Sequence, residues 1–187
     1  MINRFFILFL TYISISFYPI LAKEKTRLID KLIKIETLTF SFDQITNGKG
    51  ESGICDLAFP GKLKCIYNSK EGKELIINGN SLAIIQKKYD KIYYYPISKS
   101  PLNKILDKEE LIKIIKNNNL NYLEGKLFFL INTDNKQELI IFFNKNNFDL
   151  LGWETTDKFK NKITFNIKVI SINKQMPLKE FNIPKKN

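Results

Sequence analysis

The sequence predicts a mainly β domain whose antiparallel strands curl toward a barrel, with a few α-helices. Three observations carry this. Short β-prone segments recur at regular spacing with Gly, Asn, Asp or Pro between them, as in a meander. Helical spacing of apolar residues is confined to two stretches of the mature chain, 26–36 and 101–116. Apolar residues make up 44% of the 187, more than a disordered chain carries and suited to a single folded domain.

The chain opens with Met1-Ile-Asn-Arg4, then an uncharged apolar run from Phe5 to Ile20, a helix-breaking Pro19, and Leu21-Ala22 before the first lysine. That order is the plan of a secretory signal peptide. The run is shorter than the roughly 20 residues a membrane-spanning helix needs. The expected cleavage follows Ala22, leaving residues 23–187 as one exported domain. Next, TRLIDKLIKIE (26–36) spaces Leu28, Ile29, Leu32, Ile33 and Ile35 as an amphipathic helix. LTFSFDQ (38–44) alternates as a strand, with Gly48 and Gly50 marking the turn after it. Residues 54–59 and 62–67 form a hairpin around Pro60-Gly61, and strands follow at 73–78, 81–87 and 91–97.

PLNKILDKEELIKIIK (101–116) returns to helical spacing. Pro101 suits a first turn, and Asp107 with Glu110 forms a capping-box pattern that restarts the helix at Lys108. Five strands close the chain at 120–124, 126–132, 137–143, 148–155 and 161–172. The prolines of the tail end the last strand.

Composition removes several function classes. There is no histidine, so no Ser-His or Cys-His nucleophile pair and no His-ligated zinc can form. Two cysteines cannot build a closed tetrahedral zinc site. The net charge of +11 would raise nucleic acid as a partner. Export and the scatter of lysines among Asn and Ile, with no basic arm, argue against it.

The hairpin sorts cleanly by parity. Cys55, Leu57, Phe59, Leu63, Cys65 and Tyr67 share an apolar face, and Asp56, Lys62 and Lys64 share the wet one. A two-residue turn would pair 56 with 65. A three-residue loop or a bulge sets Cys55 opposite Cys65, within disulfide reach, and an exported chain favours the bond. The later strands do not sort: LFFLI (127–131) and LIIFF (139–143) are apolar on both parities, so both faces need cover. Fifteen Phe and eight Tyr add to the excess. Two accounts remain open. Helices cover part of the sheet and all of this is ordinary core, or a curved sheet holds an apolar cavity roofed by the helical segments.

The ordered motifs resemble a known family. LTFSFDQ after a helix, Gly-x-x-x-x-x-Phe-Pro-Gly-Lys-Leu (53–63), Asn-Gly-Asn-Ser-Leu (78–82), Tyr95-Pro-Ile-Ser-Lys-Ser-Pro-Leu-Asn-Lys-Ile-Leu (95–106), and Phe159 to Phe181 with Ile183-Pro184 look like the periplasmic outer-membrane lipoprotein carriers, the LolA family. The resemblance implies an unclosed antiparallel β-barrel, a half-barrel with a helical lid over a hydrophobic cavity. It implies a monomeric periplasmic carrier without cofactor, metal or catalytic residues. Such a carrier receives acylated lipoproteins from an inner-membrane ABC-type releasing complex and delivers them to an outer-membrane acceptor. By position, Leu63 falls in the cavity and Pro101, Leu102, Ile105 and Leu106 in the lid. Phe59 stands where the family usually has a basic latch residue, which suggests closure by apolar contact. Phe40, Phe42, Leu57, Tyr67, Tyr93, Tyr95, Phe128, Leu130 and Trp153 are the further lining candidates, each also readable as plain core. The cysteine pair is not a general family feature; parity would set it against the cavity wall.

Three rival readings exist. A lipidated outer-membrane receptor of this fold needs a cysteine directly after the signal peptide, where this chain has Lys23. A lipid- or lipoprotein-sensing module of the same shape usually carries a second domain. A carboxylate hydrolase could be built on Asp134/Glu138 or Glu109/Glu110, but these acids beside Lys and Asn read better as a solvated face.

Overall fold

Two antiparallel meanders build the sheet. The first contains β1 (Thr37–Thr46), β2 (Lys49–Ala58), β3 (Lys62–Tyr67), β4 (Lys73–Asn78), β5 (Ser81–Gln86) and β6 (Lys91–Pro96). The second contains β7 (Asn121–Leu123), β8 (Lys126–Asn132), β9 (Glu138–Asn144), β10 (Leu150–Thr156) and β11 (Lys162–Ile172). In the computed structural model, which describes residues 18–132, 138–156 and 160–185, they form one sheet in the order β6-β5-β4-β3-β2-β1-β11-β10-β9-β8-β7. The pairing of β1 with β11 joins the meanders, and β6 and β7 are the free edges, so the barrel stays open. The expected signal segment before Tyr18, Asp134 and Phe159 lie outside the described residues.

The turns follow local chemistry. Asn47 and Gly48 both take positive φ (52° and 79°), the geometry of a two-residue turn that matches strand twist. Gly50, expected in that turn, lies inside β2 instead. At the next hairpin Ala58 pairs with Lys62 around a three-residue Phe59-Pro60-Gly61 loop. That register sets Cys55 opposite Cys65, and the two are joined in a disulfide.

Three helices interrupt the sheet: α1 (Tyr18–Ile33), α2 (Leu102–Leu106) and α3 (Lys108–Asn117). Asp107 separates the last two, and its carboxylate accepts from the Glu110 N–H at 3.1 Å, the N-cap expected from the sequence. α1 departs from expectation at both ends. Pro19 does not break it but lies within the helix, near the first of its described residues. The helix ends at Ile33, before Ile35, because Asn173 takes over its exit. The Asn173 amide donates to the Lys34 carbonyl and accepts from the Glu36 N–H, both at 2.7 Å.

Apolar residues of the concave face and of the helices form one core. Phe40, Phe42, Leu57, Phe129, Ile141 and Phe143 from the strands meet Leu28, Leu32, Ile105, Leu111 and Ile115 from the helices. α1 and α2 both pack on α3. On the convex side, the short helical turn Leu178–Phe181 lies on β3 and β4 and buries Phe181. The expectation of cover on both faces of β8 and β9 is corrected here. Leu127, Phe129 and Ile131 point into the core, whereas Leu130 on the other parity is 43% exposed. The outward rings of Phe128 and Phe142 shield each other at 6.0 Å, with the Lys126 ammonium 5.7 Å from the Phe142 ring.

Candidate ligand cavity and its lid

The concave face carries an aromatic ladder across four strands. Trp153 (β10) stacks on Phe165 (β11) at 4.2 Å, Phe165 stacks on Phe42 (β1) at 4.8 Å, and Phe42 meets the edge of Tyr67 (β3) at 4.9 Å. Alternation puts these rings on one face, and two glycines make the close approach possible. A side chain at Gly53 would press on the Ile66 carbonyl and the Phe42 ring. At Gly152, where φ is +133° beside a bulge in the β9–β10 pairing, it would strike the Phe165 carbonyl.

Above the ladder lies a cavity of about 160 Å³. Its walls are Leu63, Cys65, Tyr67 and Leu75 on one side and Trp153, Thr155, Ile163 and Phe165 on the other, with Gln44 between them. Ser100, Pro101 and Leu102 roof it. The lining is mostly apolar, and its polar groups lie among partners. The Tyr67 hydroxyl donates to Gln44 Oε1 at 3.3 Å, and Gln44 Nε2 donates to Thr46 Oγ1 at 3.1 Å. Burial, with the Glu51 carboxylate nearby, pushes the Tyr67 hydroxyl well above the ordinary tyrosine range, so it stays a donor. Glu51 itself is held by Lys73 at 2.7 Å, and that ammonium sits 4.0 Å from the Tyr67 ring. Thr155 is different. It is 8% exposed, and its hydroxyl has no hydrogen-bond partner among the described residues.

The roof is short. After the helical turn Ile97–Lys99, Pro101 starts α2, which is only 5 residues long and buries Ile105 and Leu106. Gly61 N–H, in the loop after Phe59, donates to the Leu106 carbonyl at 3.0 Å. The Lys108 ammonium lies 5.2 Å from the centre of the Phe59 ring and donates to the Ile33 carbonyl at 3.3 Å. Position 59 therefore contacts the lid region through a ring that receives a lysine from α3.

The other half of the concave face is closed. Under α1 and α3 only about 20 Å³ remains, bordered by Leu32, Leu38, Leu57, Phe59, Leu111 and Phe143 among others. A larger depression of about 740 Å³ lies outside the barrel, between the β4–β6 turns and the C-terminal segment. It is open, and its lining mixes Asn78, Asn80, Ser81, Asn182 and Lys185 with Leu82, Tyr94, Tyr95, Pro96 and Ile183.

The sequence-predicted residues divide accordingly. Leu63, Tyr67 and Trp153 line the cavity, with Pro101 and Leu102 above it. Phe40 and Phe42 lie on the same face but are buried in packed core, and Leu57 and Phe59 border the small void under the helices. Ile105 and Leu106, expected in the lid, lie in α2 and are buried. Tyr93 and Tyr95 pair with Ile84 and Leu82 on edge strand β6 and are 41% and 50% exposed. Phe128 and Leu130 occupy the convex face and cannot reach the cavity, a correction of their expected place. Sequence reading missed Gln44, Leu75, Ser100, Thr155, Ile163 and Phe165. Phe165 was findable, since it alternates with Ile167 and Val169 in β11; Thr155 was not, because a strand threonine carries no sign of which face it joins. Of the acids weighed for hydrolysis, Glu110 is taken up by Lys104 at 3.0 Å. Among the described residues, no group of three His, Cys, Asp or Glu is placed to hold a metal ion.

Comparisons with known proteins agree with this architecture. No curated protein sequence matches the chain. Among solved structures, a DUF1329 family protein from Desulfovibrio piger superposes with a TM-score of 0.50 at 8% identity, covering 86% of this chain and 95% of that one. This likeness supports the fold alone. A domain assigned to outer membrane lipoprotein sorting from Vibrio parahaemolyticus follows at TM-score 0.48 and 9% identity, covering 87% and 94% of the two chains. A LolA superfamily protein from Nitrosomonas europaea gives TM-score 0.43 and 8% identity, covering 84% and 97%. The description of the outer membrane lipoprotein carrier protein LolA fits residues 33–184, from the end of α1 through the C-terminal segment. With an open β half-barrel, an apolar cavity and a helical roof in place, the chain belongs to the LolA family of outer membrane lipoprotein carrier proteins.

Proposed function

We propose that this protein carries the acyl chains of lipoproteins between the inner and outer membranes in the cavity under α2, and that it makes and breaks no bonds. The observation that carries the reading is an apolar cavity roofed by a five-residue helix, in a chain of the LolA family. The physical need is plain. Burial of an acyl chain is worth about 0.8 kcal/mol per CH₂, so a multiply acylated protein does not leave a bilayer unaided.

The cavity volume bears on how such carriage works. About 160 Å³ is close to the size that admits a benzene-sized molecule and below the roughly 300–1,000 Å³ of pockets for larger ligands. On this reading the lid is closed over the cavity, and acyl chains enter as it moves away. Displacing Leu102, Ile105 and Leu106 costs apolar burial, which is deducted from the gain of burying the alkyl chain. Binding is thereby weakened enough for the cargo to be handed on, and the empty carrier hides its apolar surface. The cargo arrives from an inner-membrane ABC-type releasing complex and leaves to an outer-membrane acceptor. The protein works in the periplasm as a monomer, after cleavage near Ala22 shortens α1 to its part from Lys23 onward.

The test is acyl binding by the purified protein. Wild type takes up a fluorescent fatty-acyl probe at one site. Leu102→Glu, which puts a charge in the roof, loses at least about tenfold in affinity while its circular dichroism is unchanged. Equal binding by both proteins would sink the cavity assignment. A lipid-sensing module would bind the probe equally well but would not extract an acylated lipoprotein from vesicles, which separates that alternative.

A further inference from the structure

A cavity of about 160 Å³ is benzene-sized and takes only part of one alkyl chain. The anchor of a multiply acylated protein has more than one chain, and the concave face has apolar surface to spare beside the cavity. Strand register continues the cavity wall across the first meander to its free edge. Cys65 pairs with Leu75, Leu75 with Ile84, and Ile84 with Tyr93 of β6. Directly opposite residues share a face of the sheet. Cys65 and Leu75 line the cavity, so Ile84 and Tyr93 lie on the cavity's side of the sheet.

Cover thins along this row. Cys65 is 2% exposed, Leu75 and Ile84 are half-buried, and Tyr93 is 41% exposed. On one side the next row, Leu63 with Ile77 and Leu82, stays buried until Tyr95 at the edge. On the other side the next row is polar: Lys73 pairs with Gln86, and Gln86 with Lys91. An apolar lane one side chain wide therefore leaves the cavity between a covered row and a wet one. Three strand spacings of about 4.8 Å make it about 14 Å long. One lipid chain spans roughly 15 Å, half of a hydrocarbon core about 30 Å thick. The lane ends in tyrosine, whose apolar ring and polar tip suit a boundary between hydrocarbon and water.

We propose that Leu75, Ile84 and Tyr93 form a second alkyl-chain subsite: one chain of a diacylated anchor enters the cavity under Leu102, and the other lies along this lane toward the free edge at β6. Because Tyr93 is already exposed, a chain reaches the outer end of the lane without displacing α2. The second chain adds apolar burial that a singly acylated ligand does not supply. Tyr93 is then a specificity residue that favours two chains over one. The inference rests on the carrier reading and goes beyond it.

The experiment compares two probes on three proteins. The probes are a diacylglyceryl-cysteine peptide and its monoacyl counterpart, each with a photoreactive diazirine near the chain end. Tyr93→Thr, which keeps a strand-forming residue and removes the ring, weakens diacyl binding about tenfold and leaves monoacyl binding within about twofold. Tyr94→Thr is the control, because Tyr94 lies on the same edge strand but on the opposite face; it leaves both affinities within about twofold. In wild type, irradiation of the diacyl complex labels Ile84 or Tyr93 as well as the cavity, and the monoacyl complex is labelled in the cavity alone. Unchanged diacyl binding by Tyr93→Thr, an equal loss for both probes, an equal loss in Tyr94→Thr, or diacyl labelling confined to the cavity overturns the inference while the carrier reading stands. If neither probe binds wild type, the carrier reading falls and this inference with it.

Discussion

The concave face of one sheet is roofed in two ways. Under α1 and α3 it is filled to about 20 Å³, and under α2 it keeps about 160 Å³. Phe and Leu from the strands line both halves, and Gln44, Tyr67 and Thr155 join only the hollow one, so the apolar wall by itself does not make the difference. The roofs do. α1 and α3 are 16 and 10 residues long and send Leu28, Leu32, Leu111 and Ile115 fully inward. α2 has 5 residues, and over the cavity it places only Leu102, with Pro101 and Ser100 before it. Both sequence-level accounts of the apolar excess, solid core and cavity, therefore hold, each in its own half. A hollow arises where the covering element is too short to fill what the sheet encloses.

The sharpest way to break this contrast is to truncate one side chain in each roof. Leu111→Ala opens a void in a packed region and costs about 2–5 kcal/mol, seen as a large fall in the unfolding midpoint, with acyl binding kept. Leu102→Ala removes a half-buried side chain over an existing hollow and costs less than about 1.5 kcal/mol, yet weakens acyl binding. Equal destabilisation by the two would erase the distinction between the roofs.

Next in size is the staple of the hollow half. Reducing Cys55–Cys65, or replacing both by alanine, removes about 2–3 kcal/mol through a short loop. Intact mass shows the bond directly, as a gain of two hydrogens on reduction. Two free thiols in exported protein would contradict it.

The lid contact comes third. Lys108→Met removes the ammonium over Phe59 at a cost of about 0.5–1 kcal/mol, while the methionine keeps most of the packing. Because it acts at the lid, faster probe release is expected with little change in the unfolding midpoint. Unchanged release would mean that Gly61 and the apolar contacts of α2 hold the lid by themselves.

The smallest effect is on pH. The folded-state pKa of Tyr67 is raised above its unfolded value by burial and by Glu51. Its contribution to stability is therefore complete below about pH 10, the ordinary tyrosine value, and declines as pH rises toward the folded value. Absorbance titration of tyrosinate should lose its most alkaline component in Tyr67→Phe. Loss of an ordinary component instead would place Tyr67 in contact with water and enlarge the hollow.

Much of the molecule could be read from local chemistry. The β4, β5 and β6 boundaries, the restart of the helix at Lys108 under the Asp107 cap, and the opposition of Cys55 and Cys65 depend on turn residues and on parity within one hairpin. Those are interactions between near neighbours, and the residues themselves specify them. The misplaced elements have distant partners. Asn173 ends α1 from the other end of the chain, and the convex placement of Phe128 and Leu130 follows from the pairing of β8 with β9 inside a long curved sheet. A strand that is apolar on both parities carries no mark of which face turns inward.

By itself, the sequence determined that strands would dominate, where they turn, where the helices restart and that the hairpin could be cross-linked, because each of these depends on side chains a few residues apart. Only the tertiary structure decided which half of the concave face is packed and which is hollow. Empty volume belongs to no residue: it is the difference between what a curved sheet encloses and what its roof supplies, and it exists only once both have been brought together.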